Sequence, residues 1–341
     1  MKYSNLGQTG LVVSKVSLGM MSFGSPDWQP WVLPGKEATR FVRKALDAGI
    51  NLFDTADFYS HGKSEEALGD ALAASGNRRH AVIATKVGLP MSAQPNHGGL
   101  SKKHILASLN DSLRRLKTDY IDIYQLHRFD PTTPLDETLD ALDSAVQSGK
   151  VLYVGASNFT AATIAPAVFA HRWRSAPRLS CMQIQYNLAY REDERDMIPL
   201  CLNNGLGLIV YSPLARGLLT RSVSDHALMT AREAARLNSD LKAKQLYGSA
   251  NDLAILAVAQ EIAIERNIST SSVALAWLHA QPHVSSVLCG ALEPQHIDEA
   301  VAAMDVVLSD DELARLANPY EPRAVKDDAF SAVKASAKAK T

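Results

Sequence analysis

Residues 49–54 read Gly-Ile-Asn-Leu-Phe-Asp, a short apolar run that ends on a carboxylate, which a buried strand does not normally carry. Two later runs end on polar groups in the same way. The three runs are Gly49–Phe53 before Asp54, Ala81–Thr85 before Lys86, and Ile121–Leu126 before His127. If the runs are neighbouring parallel strands, these side chains lie on one rim of a sheet. Together with Tyr59, one short loop after Asp54, they would form a proton-relay site.

The chain around these runs alternates short β-rich segments with helical patterns, which is typical of βαβ units and a parallel sheet. Most of the expected strands are separated by about the 30 residues that one βαβ unit needs. The eight strands lie near Val16–Leu18, Asn51–Phe53, Val82–Thr85, Ile121–Leu126, Leu152–Gly155, Met182–Gln185, Gly207–Tyr211 and Ser286–Cys289. A hairpin of Lys2–Leu6 and Leu11–Ser14 precedes them. Eight such units predict an α/β fold, a (β/α)8 TIM barrel.

The longest connection lies between the seventh and eighth strands, from Tyr211 to Ser286. Its first part, Arg216–Tyr247, is polar and weakly patterned, and helices over Asp252–Arg266 and Thr270–Ala280 follow it. A long insertion at this place is expected to cover a ligand.

Two helical patterns, Pro294–Met304 and Asp310–Ala317, follow the eighth strand. The chain after Tyr320 is rich in Lys, Ala and Ser. We therefore predict one domain over residues 1–322 and a polar tail over residues 323–341, poorly ordered at its end, Ala332–Thr341.

The composition restricts the classes of function. Of the 341 residues 46% are apolar, which is enough for a large core. A net charge of −1 argues against binding to nucleic acid or to an anionic membrane. No apolar run has the length of a membrane span, and no signal-peptide pattern is expected at the N-terminus. Cys181, Cys201 and Cys289 are odd in number and far apart, which predicts reduced buried thiols in a cytoplasmic protein.

Each of the four polar residues has an ordinary explanation when it is considered alone. Asp54 could cap a turn or helix, and Lys86 could point into water. His127 could be a satisfied core histidine, and Tyr59 could simply pack. Four such groups at the ends of strands two to four are hard to explain by coincidence, because chemistry in TIM barrels lies at that end of the strands.

The four residue types form a coherent proton donor. Tyrosine has an ordinary pKa of about 10, which is too high for ready proton exchange near neutral pH. A nearby ammonium lowers that pKa, and a carboxylate keeps the ammonium charged. We therefore expect Asp54 to hold Lys86 and Lys86 to lower the pKa of Tyr59. His127 can donate a hydrogen bond to the same substrate oxygen. This set needs an external hydride source, so a nicotinamide cofactor is implied.

The segment at 49–69, GINLFDTADFYSHGKSEEALG, resembles the signature of the aldo-keto reductase superfamily. The resemblance extends over about residues 1–322, and its further blocks are Ala84–Lys86, Gln125–His127, Gly155–Phe159, Gln183–Asn187 and Tyr211–Gly217. The Trp28–Leu33 loop and Tyr190–Glu192 resemble the bacterial branch that includes the YajO-type reductases. The resemblance implies reversible, NAD(P)H-dependent reduction of aldehydes and ketones to alcohols.

The resemblance also implies a role for each matching residue. Tyr59 would be the general acid, Lys86 and Asp54 would tune it, and His127 would orient the carbonyl. The implied cofactor contacts are Gly19, Met20 and Met21 at the inner end, Ser157, Asn158 and Gln185 at the carboxamide, Tyr211 on the nicotinamide ring, and Ser212, Leu214 and Gly217 along the pyrophosphate. Asp54, Arg216 and Gly290 belong to the same set of implied contacts. Ser157 and Asn158 could also cap the next helix, and Tyr211 could be core packing.

One departure from the family concerns the 2′-phosphate of NADP. In the segment Gly290–Ala300 the family usually carries a basic residue for this phosphate, whereas the corresponding positions here are Leu292 and His296, beside Glu293. A carboxylate near the 2′ position favours a hydroxyl over a phosphate. Glu299 still fits an adenine contact. The missing charge could come from the insertion, through Arg216, Arg221, Lys242 or Lys244. We predict NADP(H) by family default, with NAD(H) as the alternative.

The loops at the rim should set the substrate. The candidate wall residues beside Tyr59 and His127 are Trp28, Trp31, Phe58, Phe129 and Tyr320. They suggest an apolar or aromatic carbonyl compound, although the same side chains could equally pack the loops together. Arg128 could bind an anionic substrate or pair with Asp130.

Two other classes of protein compete with a carbonyl reductase. A dinucleotide-sensing binding module, similar to the channel β-subunits of this family, would bind the cofactor with little turnover. A metal-dependent TIM-barrel hydrolase or lyase would need clustered His, Asp or Glu ligands at strand ends, which His127 lacks. We expect no metal and a small-molecule carbonyl substrate as the partner. The sequence is compatible with a homo-oligomer. The sequence indicates neither the physiological substrate nor the direction of reaction.

Overall fold

The computed structural model describes residues 1–174, 176–221 and 231–325. Its strands are β1 (Tyr3–Asn5), β2 (Val12–Ser14), β3 (Val16–Gly19), β4 (Phe23–Gly24), β5 (Leu33–Pro34), β6 (Leu52–Asp54), β7 (Val82–Val87), β8 (Ile121–Leu126), β9 (Val151–Ser157), β10 (Leu179–Gln185), β11 (Gly207–Tyr211) and β12 (Val284–Cys289). Strands β3 and β6 to β12 pair in parallel and close into a barrel where β12 meets β3. The predicted (β/α)8 TIM barrel is confirmed, and all eight expected strands are present with ends shifted by a few residues.

Helices surround the barrel. They are α1 (Ala38–Asp47), α2 (Lys63–Ser75), α3 (Lys102–Leu116), α4 (Leu135–Gln147), α5 (Ala161–Ala170), α6 (Met197–Asn204), α7 (Ala231–Ser239), α8 (Leu241–Leu246), α9 (Ala250–Arg266), α10 (Thr270–His279), α11 (Gln295–Ala302) and α12 (Asp310–Ala317). Ser249 and Ser269 cap α9 and α10 through their side chains, which explains why both helices start where they do.

The insertion between β11 and β12 contains more structure than its sequence indicated. A 3₁₀ segment, Ala215–Thr220, leads into the segment Arg216–Tyr247, which also contains the helices α7 and α8. Asp240 caps α8, accepting a hydrogen bond from the Ala243 amide at 2.9 Å. Helix α7 consists mostly of alanine and polar residues, and α8 has only six residues, so neither shows an apolar stripe in the sequence. The helices expected in the second half of the insertion are confirmed as α9 and α10.

The expected hairpin is confirmed as β1 and β2, and it closes the amino end of the barrel. Leu6 and Val13 of the hairpin are fully buried against the side chains inside the barrel. The carboxamide of Asn51 accepts a hydrogen bond from the Ser14 amide at 2.7 Å, and the Ser286 hydroxyl donates to the Ser14 carbonyl at 2.7 Å. The hairpin is therefore tied to β12 and to the entrance of β6.

The core has two layers. Apolar residues inside the barrel form the smaller one, and a larger one lies between the strands and the helices. Helix α1 shows the principle, because Phe41, Val42 and Ala45 are fully buried on one face. The layered packing fixes the strand ends, and with them the polar side chains at the rim.

Three further expectations concern the thiols, membrane spans and the C-terminal tail. Cys181, Cys201 and Cys289 are buried and free, as expected. Within the described ranges, no helix has the length and apolar character needed to cross a membrane. Most of the predicted tail, including Ala332–Thr341, lies outside the described residues. The division at residue 322 stays a prediction.

Candidate active site

Three neighbouring strands bring the polar rim residues together. Asp54 ends β6, Lys86 lies near the end of β7, and His127 directly follows β8. The pairing register sets Asp54 beside Gly19 of β3, and Lys86 beside Gln125 of β8. All three side chains therefore lie at the carboxyl end of the barrel, the end at which TIM barrels carry their chemistry.

Lys86 is fully buried and has three oxygen partners. Its Nζ donates to Asp54 Oδ1, to the Thr55 carbonyl at 2.8 Å and to the Tyr59 hydroxyl at 3.4 Å. Burial by itself lowers the pKa of Lys86, but the carboxylate of Asp54 and the phenol of Tyr59 raise it above its ordinary value. Lys86 is therefore a permanent ammonium ion at neutral pH.

The second oxygen of Asp54 is also occupied. Asp54 Oδ2 accepts hydrogen bonds from Gln183 Nε2 at 2.7 Å and from Gln125 Nε2 at 3.2 Å. A buried ion pair is stable only when the remaining polar atoms are hydrogen-bonded. The two glutamines meet this condition, and they hold the carboxylate in one orientation beneath Lys86.

Tyr59 opens a 3₁₀ segment, Tyr59–Gly62, directly above the ion pair. Burial raises the pKa of its phenol above the ordinary value, while the charge of Lys86 works in the opposite direction. Lys86 therefore acts in the expected direction, but the expected net lowering of the Tyr59 pKa is wrong, because desolvation outweighs the ammonium. The phenol carries its proton at neutral pH.

His127 is buried and is neutral at physiological pH. Burial lowers its pKa well below the ordinary value, and the positive charges of Lys86, Arg128 and Lys242 lower it further. Its ring stands edge-on to Tyr59, with centroids 5.6 Å apart. Within the described part of the chain its Nδ1 has no hydrogen-bond partner. A neutral imidazole in this position can donate one hydrogen bond to an oxygen that also contacts Tyr59.

A cleft of about 1530 Å³ runs from Tyr59 and His127 to His296 and Glu299. Most of the residues that the family resemblance implied at the cofactor line it: Gly19, Met21, Asp54, Asn158, Tyr211, Ser212, Leu214, Arg216, Gly217, Gly290, Leu292, His296 and Glu299. Asn158, Ser212 and Arg216 have positive φ angles of 54°, 53° and 54°. Such backbone conformations are uncommon outside glycine and are often found at binding sites.

Three residues implied at the cofactor are buried, each beside a residue that lines the cleft. Met20 is fully buried in the core. Ser157 is buried and accepts a hydrogen bond from Asn158 at 3.0 Å. Gln185 is buried, and its Nε2 donates to the Tyr247 hydroxyl at 2.7 Å. Asn158 itself donates to the His127 carbonyl at 2.9 Å, which ties its position to the polar rim.

Aromatic side chains form the wall beside Tyr59. Trp28, Trp31 and Phe58 line the cleft, and the Trp28 ring lies 5.9 Å from Phe58 and 6.2 Å from Tyr59. Phe129 instead packs on Phe159 at 5.8 Å and is not part of the wall.

Tyr320, the remaining aromatic candidate, is likewise absent from the wall. Its hydroxyl donates to Glu192 at 2.7 Å and accepts from the Arg191 amide at 2.9 Å. It therefore anchors the C-terminal segment and does not contact the cleft.

The basic residues expected in the insertion have different surroundings. Arg216 lines the cleft and pairs with Asp240 at 2.7 Å. Arg221 and Lys242 also line the cleft, whereas Lys244 does not and donates to the Asn238 carbonyl at 3.0 Å.

Two residues that the sequence interpretation missed also lie at the cleft. Arg236 of α7 stacks on Trp31, with its guanidinium 4.5 Å from the ring centroid. Glu233 of α7 pairs with His296 at 3.0 Å. Sequence spacing gives no sign that α7 reaches these partners, because the contacts join distant parts of the chain.

The described residues fit a nicotinamide dinucleotide. The cleft is lined by a flat aromatic side chain, Tyr211, on which a nicotinamide can stack, and by the cations Arg216, Arg221 and Lys242, which supply the positive charge that a pyrophosphate needs. Among the described residues, no group of three or more His, Cys, Asp or Glu side chains could hold a metal ion. The donors that are present suit a dinucleotide and a carbonyl compound.

Comparison with known proteins agrees with this site. The sequence profile of the aldo/keto reductase family matches residues 15–321. The chain is 39% identical to versiconal hemiacetal acetate reductase of Aspergillus parasiticus, over 95% of this chain and 98% of that protein. It is 37% identical to a putative aryl-alcohol dehydrogenase of Schizosaccharomyces pombe, over 94% of this chain and 96% of that protein. A putative aryl-alcohol dehydrogenase of Saccharomyces cerevisiae is 34% identical, with coverages of 94% and 98%.

The chain therefore belongs to the aldo/keto reductase family. It is an oxidoreductase that reduces carbonyl compounds with a nicotinamide cofactor. These relatives are fungal, so the expected resemblance to the bacterial YajO-type branch is not supported. They also give no support to a binding module without turnover.

Proposed function

We propose that this enzyme reduces apolar or aromatic aldehydes and ketones, with Tyr59 as the proton donor and NADPH as the preferred cofactor. The observation that carries the proposal is the surroundings of Tyr59: its hydroxyl accepts from the Lys86 ammonium at 3.4 Å, and its ring lies 6.2 Å from Trp28 of the aromatic wall. Two relatives named as putative aryl-alcohol dehydrogenases support an aromatic substrate class.

The proton transfer follows from the contacts of Tyr59. The bound cofactor supplies the hydride. As negative charge develops on the substrate oxygen, Tyr59 donates its proton to that oxygen, and Lys86 stabilises the phenolate that forms. Asp54 keeps Lys86 charged and in place. The raised pKa of Tyr59 suits this role, because the phenol stays protonated until the oxygen becomes basic enough to take the proton.

His127 complements Tyr59 from the other side of the substrate oxygen. Its low pKa keeps the imidazole neutral, so it donates a hydrogen bond without competing as an acid. Trp28 and Phe58 would exclude water from the reacting carbonyl and pack against its substituent. In this scheme the two donors fix the carbonyl and the wall selects the rest of the substrate.

The cofactor contacts are part of the same proposal. Tyr211 would stack on the nicotinamide, Asn158 and Gln185 would hold its carboxamide, and Arg216 would meet the pyrophosphate. Leu292 and His296 line the far end of the cleft, where the family usually has a basic residue for the 2′-phosphate. Since His296 is paired with Glu233, we expect a weaker preference for NADPH over NADH than a basic side chain would give.

A kinetic comparison tests the substrate class. We expect the wild type to oxidise NADPH faster with an aromatic aldehyde than with a short aliphatic one at equal concentration. Trp28→Ala should lower kcat/KM for the aromatic aldehyde about tenfold and leave the aliphatic one nearly unchanged. Trp173→Ala is the matched control, because that ring is 69% exposed and lies outside the cleft wall.

Two results would contradict the proposal. A wild type that turns over no aldehyde or ketone with either cofactor would remove the reductase assignment for this site. Equal losses for the aromatic and the aliphatic aldehyde in Trp28→Ala would remove the substrate class alone. A cytoplasmic location stays a prediction, which fractionation of cells would test. A homo-oligomer also stays a prediction, which gel filtration would test.

A further inference from the structure

Tyr247 lies in the insertion, between α8 and α9, and its hydroxyl faces the end of β10. Two side-chain amides donate to this one oxygen, Gln185 Nε2 at 2.7 Å and Asn187 Nδ2 at 2.9 Å. Burial raises the pKa of Tyr247, with the two amides acting in the opposite direction, so the phenol is protonated. Tyr247 thus contacts one of the residues assigned above to the cofactor carboxamide, although it takes no part in the proton transfer.

The orientation of Asn187 is fixed independently of Tyr247. Its Oδ1 accepts from the Ala189 amide at 3.0 Å, and its Nδ2 donates to the Ser212 carbonyl at 2.9 Å. Because a carbonyl can only accept, the nitrogen must lie on that side. The second hydrogen of the same nitrogen is therefore the one donated to Tyr247. The Tyr247 oxygen therefore accepts from Asn187 whichever way the Gln185 amide is turned.

Gln185 is the second partner of the Tyr247 hydroxyl, and its amide nitrogen faces that oxygen in this structure. Gln185 Nε2 is committed to Tyr247, so the carbonyl oxygen of the same amide is left to accept from a ligand. In the barrel, Gln185 lies in register with Tyr211, whose hydroxyl donates to Asn158 at 2.8 Å. An accepting oxygen beside Tyr211 and Asn158 is complementary to the NH₂ group of a nicotinamide carboxamide.

The C-terminal segment holds Tyr247 in place. Arg323 donates to the Leu246 carbonyl, to the Ala189 carbonyl at 2.9 Å and to Asp252 at 2.6 Å. Its guanidinium lies 5.9 Å from the centre of the Tyr247 ring. One side chain therefore joins the start of α9, the segment before Tyr247, and the loop after β10. These contacts leave the Tyr247 hydroxyl little freedom to leave Gln185.

We propose that Tyr247 is a positioning residue for the nicotinamide end of the cofactor, acting through the Gln185 amide. The inference rests on the function proposed above and assigns to the insertion a role at the reacting end of the cleft, in addition to covering it. Without the Tyr247 hydroxyl, the Gln185 amide should be free to rotate, so its contact with the nicotinamide carboxamide should weaken. The contacts to the rest of the dinucleotide should stay unchanged.

The test compares two nucleotides that differ only in the nicotinamide. Dissociation constants of NADP⁺ and of 2′-phospho-ADP-ribose are measured by calorimetry for the wild type and Tyr247→Phe. One lost hydrogen bond predicts about fivefold weaker binding of NADP⁺, with 2′-phospho-ADP-ribose unchanged. A merely structural role would weaken both nucleotides alike. Tyr320→Phe is the matched control, because it removes a hydroxyl from the same C-terminal anchor without touching Gln185.

A double-mutant cycle sharpens the result. In the background of Gln185→Leu, the further change Tyr247→Phe should have no effect on NADP⁺ binding, because the two residues act as one unit. Equal weakening of both nucleotides, tighter NADP⁺ binding in Tyr247→Phe, or additive effects in the cycle would overturn the inference alone. A wild type that binds neither nucleotide would overturn the proposed function and this inference with it.

Discussion

The two ends of the barrel bury polar groups in opposite ways. At the carboxyl end, Lys86 and Asp54 are charged, paired and in contact with Tyr59. At the amino end, His279 is neutral, and neither of its ring nitrogens has a hydrogen-bond partner among the described residues. The Lys86–Asp54 pair keeps two charges inside the barrel beside a phenol, whereas neutral His279 contributes only packing. Burial alone therefore does not mark a functional residue, whereas burial together with a compensating charge does.

Serine hydroxyl groups hydrogen-bond the strands to one another at the amino end of the barrel. Ser286 donates to the Ser14 carbonyl at 2.7 Å and to Ser17 Oγ at 2.9 Å, and the hairpin lies on top of these bonds. These contacts join β12, β3 and β2 without any group that could exchange a proton near neutral pH. We therefore expect changes at the amino end to alter stability, and changes at the carboxyl end to alter turnover.

The largest effect is expected for Lys86→Met. The change leaves the Asp54 carboxylate buried without its cation, which costs about 3–5 kcal/mol of unfolding free energy. It also removes the charge that stabilises the Tyr59 phenolate, so kcat for aldehyde reduction should fall by about 10²–10⁴-fold. Urea denaturation and steady-state kinetics measure the two quantities on the same protein.

Lys63→Met is the control for this prediction. Lys63 pairs with Glu66 at 2.7 Å, but both side chains are exposed, so the pair should contribute about 0–1 kcal/mol. Similar losses of unfolding free energy in the two variants would show that burial does not make the Lys86–Asp54 pair more important for stability than an exposed pair. A Lys86→Met enzyme with wild-type kcat would remove the ammonium from the mechanism.

The next effect concerns acid stability and His279. Burial lowers the pKa of His279 from 6.5 to about 4, with the charges of Lys15 and Lys2 adding to the effect. The unfolded chain therefore takes up this proton first, and stability is lost as the pH falls from 6.5 towards 4. The loss should reach at most about 3 kcal/mol.

His279→Gln should flatten part of this pH dependence, leaving the contributions of His104, His127 and His283, whose pKa values burial also lowers. Urea midpoints measured across that pH range check the prediction. The kcat at neutral pH should not change. A variant with the full wild-type loss of stability in acid would exclude His279 as the source.

The smallest effect is expected for Ser286→Ala. The side chain is fully buried, and its loss leaves the Ser14 carbonyl without this donor, which should cost about 1–2 kcal/mol. Kinetic constants for the aldehyde and for NADPH should stay at wild-type values, in contrast to Lys86→Met. A fall in kcat without a fall in stability would contradict the separation between the two ends of the barrel.

Much of the fold follows from local sequence signals. The apolar runs that end at Asp54, Lys86 and His127 predict the strands, because a short apolar run and the turn residues that bound it are neighbours in the sequence. The helices α7 and α8 escaped notice because α7 consists mostly of alanine and polar residues and α8 has only six residues, so neither shows an apolar stripe. The anchoring role of Tyr320 also escaped, since it depends on Glu192, which is far away in the sequence.

The candidate site shows the same limit. Parallel strands place their carboxyl ends on one rim, so the meeting of Asp54 with Lys86 could be predicted. The direction of the pKa shift of Tyr59 could not, because it depends on how much of the phenol the loops cover. The contact of Tyr247 with Gln185 was equally hidden, since it joins the insertion to β10 through side chains alone.

The central claim is that the hydroxyl of Tyr59 delivers the proton at the carboxyl end of the barrel. Tyr59→Phe keeps the ring against Trp28 and removes only this hydroxyl. The account predicts that single-turnover reduction of an aromatic aldehyde slows by about 10²–10⁴-fold, while the dissociation constant of NADPH stays at the wild-type value. A Tyr59→Phe enzyme that reduces the aldehyde at the wild-type rate would contradict it.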